Sequence, residues 1–135
     1  MRTIRFRGWS PDGGRWAYGD LIHGMDVDTK EQNDDLYIVE TIDGTVRSTN
    51  VDPESVGQMI NADGLRNVRF FEGDVVLVHK GDEEVIRYLE YDKEAYAFVR
   101  NDGLPFVDVY DGHGDYVKLI GNLYENPGLM KYCEF

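Results

Sequence analysis

Apolar residues in this chain recur at every second position, and turn residues interrupt the pattern before any run reaches helical length. Ile4 and Phe6 alternate with Thr3, Arg5 and Arg7, which predicts a strand over residues 2–7 with one apolar and one basic face. Pro11-Asp12-Gly13-Gly14 is a turn sequence, because proline presets φ and glycine accepts positive φ. Trp16, Tyr18 and Leu21 then continue as a second strand, so the two pair as a hairpin. From Gly24 to Asp35 the chain is polar and acidic and predicts a mobile surface loop. Leu36 to Ile42 and Thr45 to Thr49 flank Asp43-Gly44, a strong hairpin signal. Asp52, Pro53 and Glu54 combine a capping carboxylate, a first-turn proline and a first-turn acid, predicting a helix of about two turns that Gly57 ends.

The second half repeats the logic after a turn-rich passage at Asn61-Ala62-Asp63-Gly64. Strands are predicted at Val75–Val78, Val85–Leu89, Ala95–Val99, Phe106–Tyr110 and Val117–Leu123. Lys80-Gly81-Asp82, Asn101-Asp102-Gly103 and Asp111-Gly112-His113-Gly114 separate them as turns. Five short strands without a long amphipathic helix read as a small antiparallel barrel or sandwich. At 135 residues the chain has the length of one ordinary domain. Its expected organisation is a mostly β single domain, with β-hairpins and a short helix over 1–60 and a barrel over 61–135.

Charge restricts the partners. The formal net charge is -12, and residues 1–23 carry a local +2, which leaves -14 for the rest. Nucleic-acid affinity rests on Lys and Arg displacing counterions, so such an acidic chain argues against DNA or RNA as the main partner. The acidity suits solubility and also mating with a basic protein. Cys133, the single cysteine, permits no internal disulfide and fits a reducing cytoplasm, where its place near the chain end reads as an incidental thiol. No apolar stretch has signal-peptide or membrane-spanning length, so neither secretion nor membrane insertion is expected.

Most reactive motifs fail at a named residue. Asp26-Val27-Asp28 opens like a calcium loop, but Lys30 takes a ligand position, Glu31 replaces the turn glycine and Tyr37 stands where the bidentate acid belongs. His23, His79 and His113 are scattered and, with one cysteine, supply no zinc ligand set. Asp111, His113 and Asp115 have the spacing of a β-turn. No phosphate-binding loop or dinucleotide fingerprint is present, so no catalytic residue, metal or cofactor is expected, and the chain reads as a non-enzyme. The binding candidates are Arg5, Arg7, Trp9 and Trp16 in the N-terminal hairpin. Arginine interleaved with aromatics can form a stacking platform for single-stranded bases. The same residues with Phe6 and Tyr18 also serve as core and cross-strand pairs, and the core is the simpler reading.

Three stretches taken together resemble a known family: Ile4-Arg5-Phe6-Arg7-Gly8-Trp9, then Val51 to Gln58 leading to Phe71-Glu72-Gly73-Asp74-Val75-Val76, and Ile120 to Pro127. Their order along nearly the whole chain is similar to that of the YopX protein family, small proteins carried by phages and prophages. The resemblance implies a mostly β fold with an SH3-like barrel and a phage or mobile element as source. It carries no catalytic residues. Within it, Gly73 suits a sharp strand entry and Asp74 a bond to nearby amides, while Glu72 and Asp74 are further candidates for ligand contact. Asn126-Pro127 reads as a second helix start that brings Leu129 and Met130 to cap a barrel end. The expected function is binding of a host or phage protein, one version being an acidic surface that imitates DNA. Nucleic-acid binding through the N-terminal hairpin is the alternative. Open sheet edges also make a homo-oligomer conceivable.

Overall fold

The computed structural model describes residues 5–60, 69–94, 97–104 and 116–133. Residues 1–4, the turn at Asn61–Gly64, Ala95, the strand at Phe106–Tyr110 and the Asp111–Asp115 turn with His113 lie outside the described residues. The chain divides into two units, Met1–Met59 and Ile60–Phe135.

The first unit is an antiparallel sheet in the order β4-β3-β2-β1-β5. Its strands are β1 (Phe6–Ser10), β2 (Arg15–Met25), β3 (Gln32–Ile42), β4 (Thr45–Val51) and β5 (Gly57–Ile60). The turn between β1 and β2 forms as its sequence demands: Gly14, at φ 62°, donates its N–H to Ser10 O at 2.8 Å. Asp43 and Gly44 both take positive φ, 50° and 78°, as a two-residue hairpin turn requires. The core-facing set is Ala17, Ile38 and Val51, joined by Phe6, Leu21, Leu36 and Val56. Each fully buried aliphatic of this kind contributes about 1.5–3 kcal/mol.

Three sequence expectations change here. Among the described residues the first strand runs from Phe6 to Ser10, past its expected end at Arg7, with Arg5 just before it, and Arg7 and Phe6 pair with Gly57 and Gln58 of β5. The acidic stretch 24–35 is no open loop. β2 and β3 extend into it until Met25 pairs with Gln32, leaving only 26–31 as the connection. Pairing of the backbone there does not need an apolar face, which is why polar composition misled. The helix at Asp52 shrinks to one 3-10 turn, Pro53–Ser55. The cap works as expected, with Asp52 Oδ1 accepting the Glu54 N–H at 3.1 Å. Val56 then returns to extended geometry, and Gly57 enters β5 opposite Arg7.

The second unit contains β6 (Phe70–Phe71), β7 (Asp74–Lys80), β8 (Glu83–Asp92), β9 (Ala97–Arg100) and β10 (Tyr116–Asn122). A four-stranded antiparallel sheet runs β10-β7-β8-β9. Among the described residues this is an open order, with β10 and β9 at its ends. Ile60, Phe70, Val76, Leu89 and Val117 form the core, with Val78 and Phe98 packed on it. A 3-10 helix, Pro127–Cys133, begins at the helix start read at Asn126-Pro127; on it Leu129 is half-buried, and Met130 is exposed where a capping role was expected. Cys133 is buried, 1% exposed, and donates its thiol to Leu129 O at 3.5 Å, so the thiol is structural and not a loose chain-end group. No helix among the described residues is long and apolar enough to cross a membrane.

Candidate interaction site

In antiparallel strands, directly paired residues share a face and their neighbours point the other way. Phe6 pairs with Gly19 and Gly8 with Ala17 on the core side. Arg7 pairs with Tyr18 and Trp9 with Trp16, which puts these four side chains together on the opposite face. Arg7, Trp9 and Trp16, singled out in the sequence, are therefore brought together. Of the expected core and cross-strand roles the two tryptophans take the cross-strand one: they pair directly, both half-buried, across the sheet from the core of Ala17, Ile38 and Val51. Their rings meet edge to face at 5.5 Å, and the Arg7 guanidinium lies over the Trp16 ring, 4.6 Å from its centroid. Arg7 is only 7% exposed, whereas Tyr18 is half exposed. Arg5 is exposed, and its carbonyl accepts the Met59 N–H at 2.7 Å.

The same face continues into the strands that sequence reading treated only as scaffold. Asp20 pairs with Val39 and Ile22 with Tyr37 between β2 and β3. Val39 pairs in turn with Ser48, Tyr37 with Asn50 and Thr41 with Val46 on β4. Ile22 is 42% exposed and Val46 65% exposed. An apolar and aromatic strip of Tyr18, Ile22, Tyr37, Val39 and Val46 thus lies on the solvent side of a sheet whose other side is already a core. The signal was present in the sequence as the second register of the same alternation, with Tyr37 and Val39 flanking the core residue Ile38.

Asp26, the first residue of the β2–β3 connection, accepts the N–H groups of Asp28 and Thr29 at 2.8 and 3.0 Å. The Thr29 amide, then the Asp28 amide, hold its carboxyl below the usual aspartate range. Asp26 N–H donates to Glu31 O and Lys30 N–H to Asp26 O, each at 2.8 Å, with Lys30 at φ 59°. On the core side, Arg15 forms a two-pronged pair with Glu40 at 2.8 and 2.9 Å, and Thr49 donates its hydroxyl to Glu40 at 2.6 Å. The Arg15 bond is the main reason the Glu40 carboxyl sits below its ordinary value, despite burial that opposes it.

Glu72 and Asp74, the remaining sequence candidates, lie elsewhere, in the second unit. Gly73 turns the chain between them at φ 91°, its N–H donating to Leu89 O at 2.8 Å. Asp74 is 1% exposed and accepts the Phe71 N–H at 2.7 Å, the structural use its position in the turn suggested. Glu72 is half-buried. A second ionic knot joins β8 to the turn after β9: Asp102 accepts from Arg87 at 3.0 Å and also from Arg100. Burial alone would raise the Asp102 carboxyl, but the Leu104 amide and the two guanidiniums outweigh it and hold it below the usual range. Asn101 beside it donates to Cys133 O at 2.8 Å and accepts the Tyr88 N–H at 3.0 Å. His79 is stacked on Tyr116, with ring centroids 4.9 Å apart. Among the described residues no three His, Cys, Asp or Glu side chains gather as a metal site.

Comparison with known proteins agrees with this architecture. No curated protein matches the chain. Among solved structures it is similar to the crystal structure of protein EF1440 from Enterococcus faecalis, at 18% identity and a TM-score of 0.53, covering 96% of this chain and 99% of that one. At that identity the likeness concerns the fold. The family model described as YopX protein matches residues 5–131, all three stretches of the sequence resemblance except Ile4 included, and the chain belongs to the YopX protein family.

Proposed function

We propose that the protein works by binding another protein, of a bacterial host or of a phage, and performs no catalysis. The observation that carries this reading is the strip of Tyr18, Ile22, Tyr37, Val39 and Val46, exposed or half-exposed on the outer face of the first unit. Apolar side chains aligned on a solvent face are a feature of recognition surfaces, and a core on the other side of the sheet holds them rigidly. Tyrosine and tryptophan at the centre of such a face provide contact area at low entropic cost.

The same hairpin bears the nucleic-acid alternative, but its cations are poorly disposed for phosphate. Arg7 lies over Trp16 with little exposure, and Arg15 is engaged by Glu40. That leaves Arg5 as the exposed arginine among these three, too little charge to hold a phosphate backbone in a chain of net charge -12.

The test is affinity capture from host cells, before and after prophage induction, with the wild-type chain and the Tyr18→Ser variant side by side. A protein retained by the wild type and lost with the variant supports the reading. Capture of nothing, or equal capture by both, overturns it. Gel shifts with single- and double-stranded oligonucleotides at low salt are run in parallel, and a shift that fades steeply with salt would favour the alternative.

A further inference from the structure

We propose that the partner presents a cationic, apolar segment to this face, laid across β2, β3 and β4; the proposal deepens the protein-binding reading above and rests on it. The argument is charge complementarity on an apolar platform. Asp20 stands exposed between Tyr18 and Ile22 on β2, inside the strip itself. From there to Asp35 the chain holds six acids, Asp20, Asp26, Asp28, Glu31, Asp34 and Asp35, against Lys30 as its one lysine or arginine. All six are exposed. Because β2 and β3 pair up to Met25 and Gln32, these acids are carried on a hairpin that continues the sheet bearing the strip.

The positive side chains nearby do not cancel this charge. Arg47 pairs with Glu40 and so faces the core side, Arg7 lies over Trp16 at the β1 side, and the exposed Arg5, just before β1, adds a single charge against the six acids. A second copy of a chain with net charge -12 would bring like charge to like, as would a nucleic acid or an anionic membrane. A segment alternating lysine or arginine with aliphatic residues meets both requirements. Its apolar side chains would cover Tyr18, Ile22 and Val46, and its cations would meet the acids at the hairpin end.

Two synthetic heptapeptides serve as probes, one alternating lysine with isoleucine and the other glutamate with isoleucine, titrated into the full chain by calorimetry at low and high salt. The lysine peptide is expected to bind, more weakly at high salt, and the glutamate peptide not to. The double variant Asp28→Asn/Asp34→Asn is expected to weaken binding on the order of tenfold. The double variant Glu83→Gln/Glu84→Gln removes the same charge from exposed positions on β8 and should change it less than about twofold. Tyr18→Ser/Ile22→Ser tests the apolar contribution with the acids intact. No binding of the lysine peptide, equal binding of both peptides, equal losses from the two acid variants, or full binding by Tyr18→Ser/Ile22→Ser each overturns the proposal. The two levels fail separately. A host protein captured through Tyr18 whose affinity ignores Asp28 and Asp34 would end the cationic assignment and leave protein binding standing.

Discussion

Gly8 on β1 lies flush against Val51 at the end of β4: a Cβ placed on Gly8 would stand 2.7 Å from Cγ2 and 2.8 Å from Cβ of that valine. Asp52, the next residue, donates its N–H to Trp9 O at 2.8 Å, so the chain leaving β4 is sealed onto β1 at this point. The sheet can curl over its own core only because position 8 has no side chain.

Gly8→Ala is expected to cost about 1–3 kcal/mol by overpacking. Gly128→Ala, where an added methyl meets nothing within 4 Å and no positive φ is involved, is the matched control and should stay within roughly 0.5 kcal/mol of wild type. Urea unfolding of the two variants checks the difference.

The Arg15–Glu40–Thr49 cluster predicts a pH dependence. Glu40 is held below its ordinary value in the folded chain, so its contribution to stability is complete above the unfolded glutamate pKa of about 4.3 and is lost as pH falls through the lowered native value. Glu40→Gln should cost about 1 kcal/mol near neutrality, a modest figure because Arg15 is partly solvated. The gap between wild type and variant, followed by denaturant unfolding at a series of pH values, should close below about pH 4.

Asp102 sits between two guanidiniums with little exposure on either side, 11% for both Asp102 and Arg87. Asp102→Asn leaves two arginines facing a neutral group, and a loss on the order of 3 kcal/mol is expected. Denaturant titration followed by circular dichroism measures it.

Cys133 should react slowly with iodoacetamide in the folded chain and rapidly in denaturant, since burial both shields the thiol and raises its pKa. Asn101→Ala removes the donor to the Cys133 carbonyl and is expected to speed native labelling roughly fivefold, about 1 kcal/mol of local opening. Mass spectrometry of timed samples distinguishes the two rates.

Turns were the most readable part of the sequence, because their chemistry is local. Gly14, Asp43, Gly44, Gly73, Gly81 and Gly103 all adopt the positive φ that their flanking residues announce. Strand ends at 24–35 were not readable, since two polar segments that hydrogen-bond only to each other leave no alternation to detect. The helix signal at Asp52 was locally correct and was overridden one turn later by the pairing of Gly57 with Arg7, a contact fifty residues apart in sequence. For the candidate site, Arg7, Trp9 and Trp16 were found through their composition, but the face they occupy depends on register, which propensity does not encode. Tyr37, Val39 and Val46 escaped notice because each is an ordinary strand residue until its partner strand is known.

Both tryptophans of the chain, Trp9 and Trp16, belong to the first unit, and the second has only tyrosine and phenylalanine as aromatic chromophores besides histidine. Indole emission is therefore a built-in reporter on one half of the molecule, already tuned by the guanidinium resting on one of its rings. Loss of that emission signature reports on the first sheet, while tyrosine absorbance is weighted toward the second unit, which holds seven of the nine tyrosines, without any label being added.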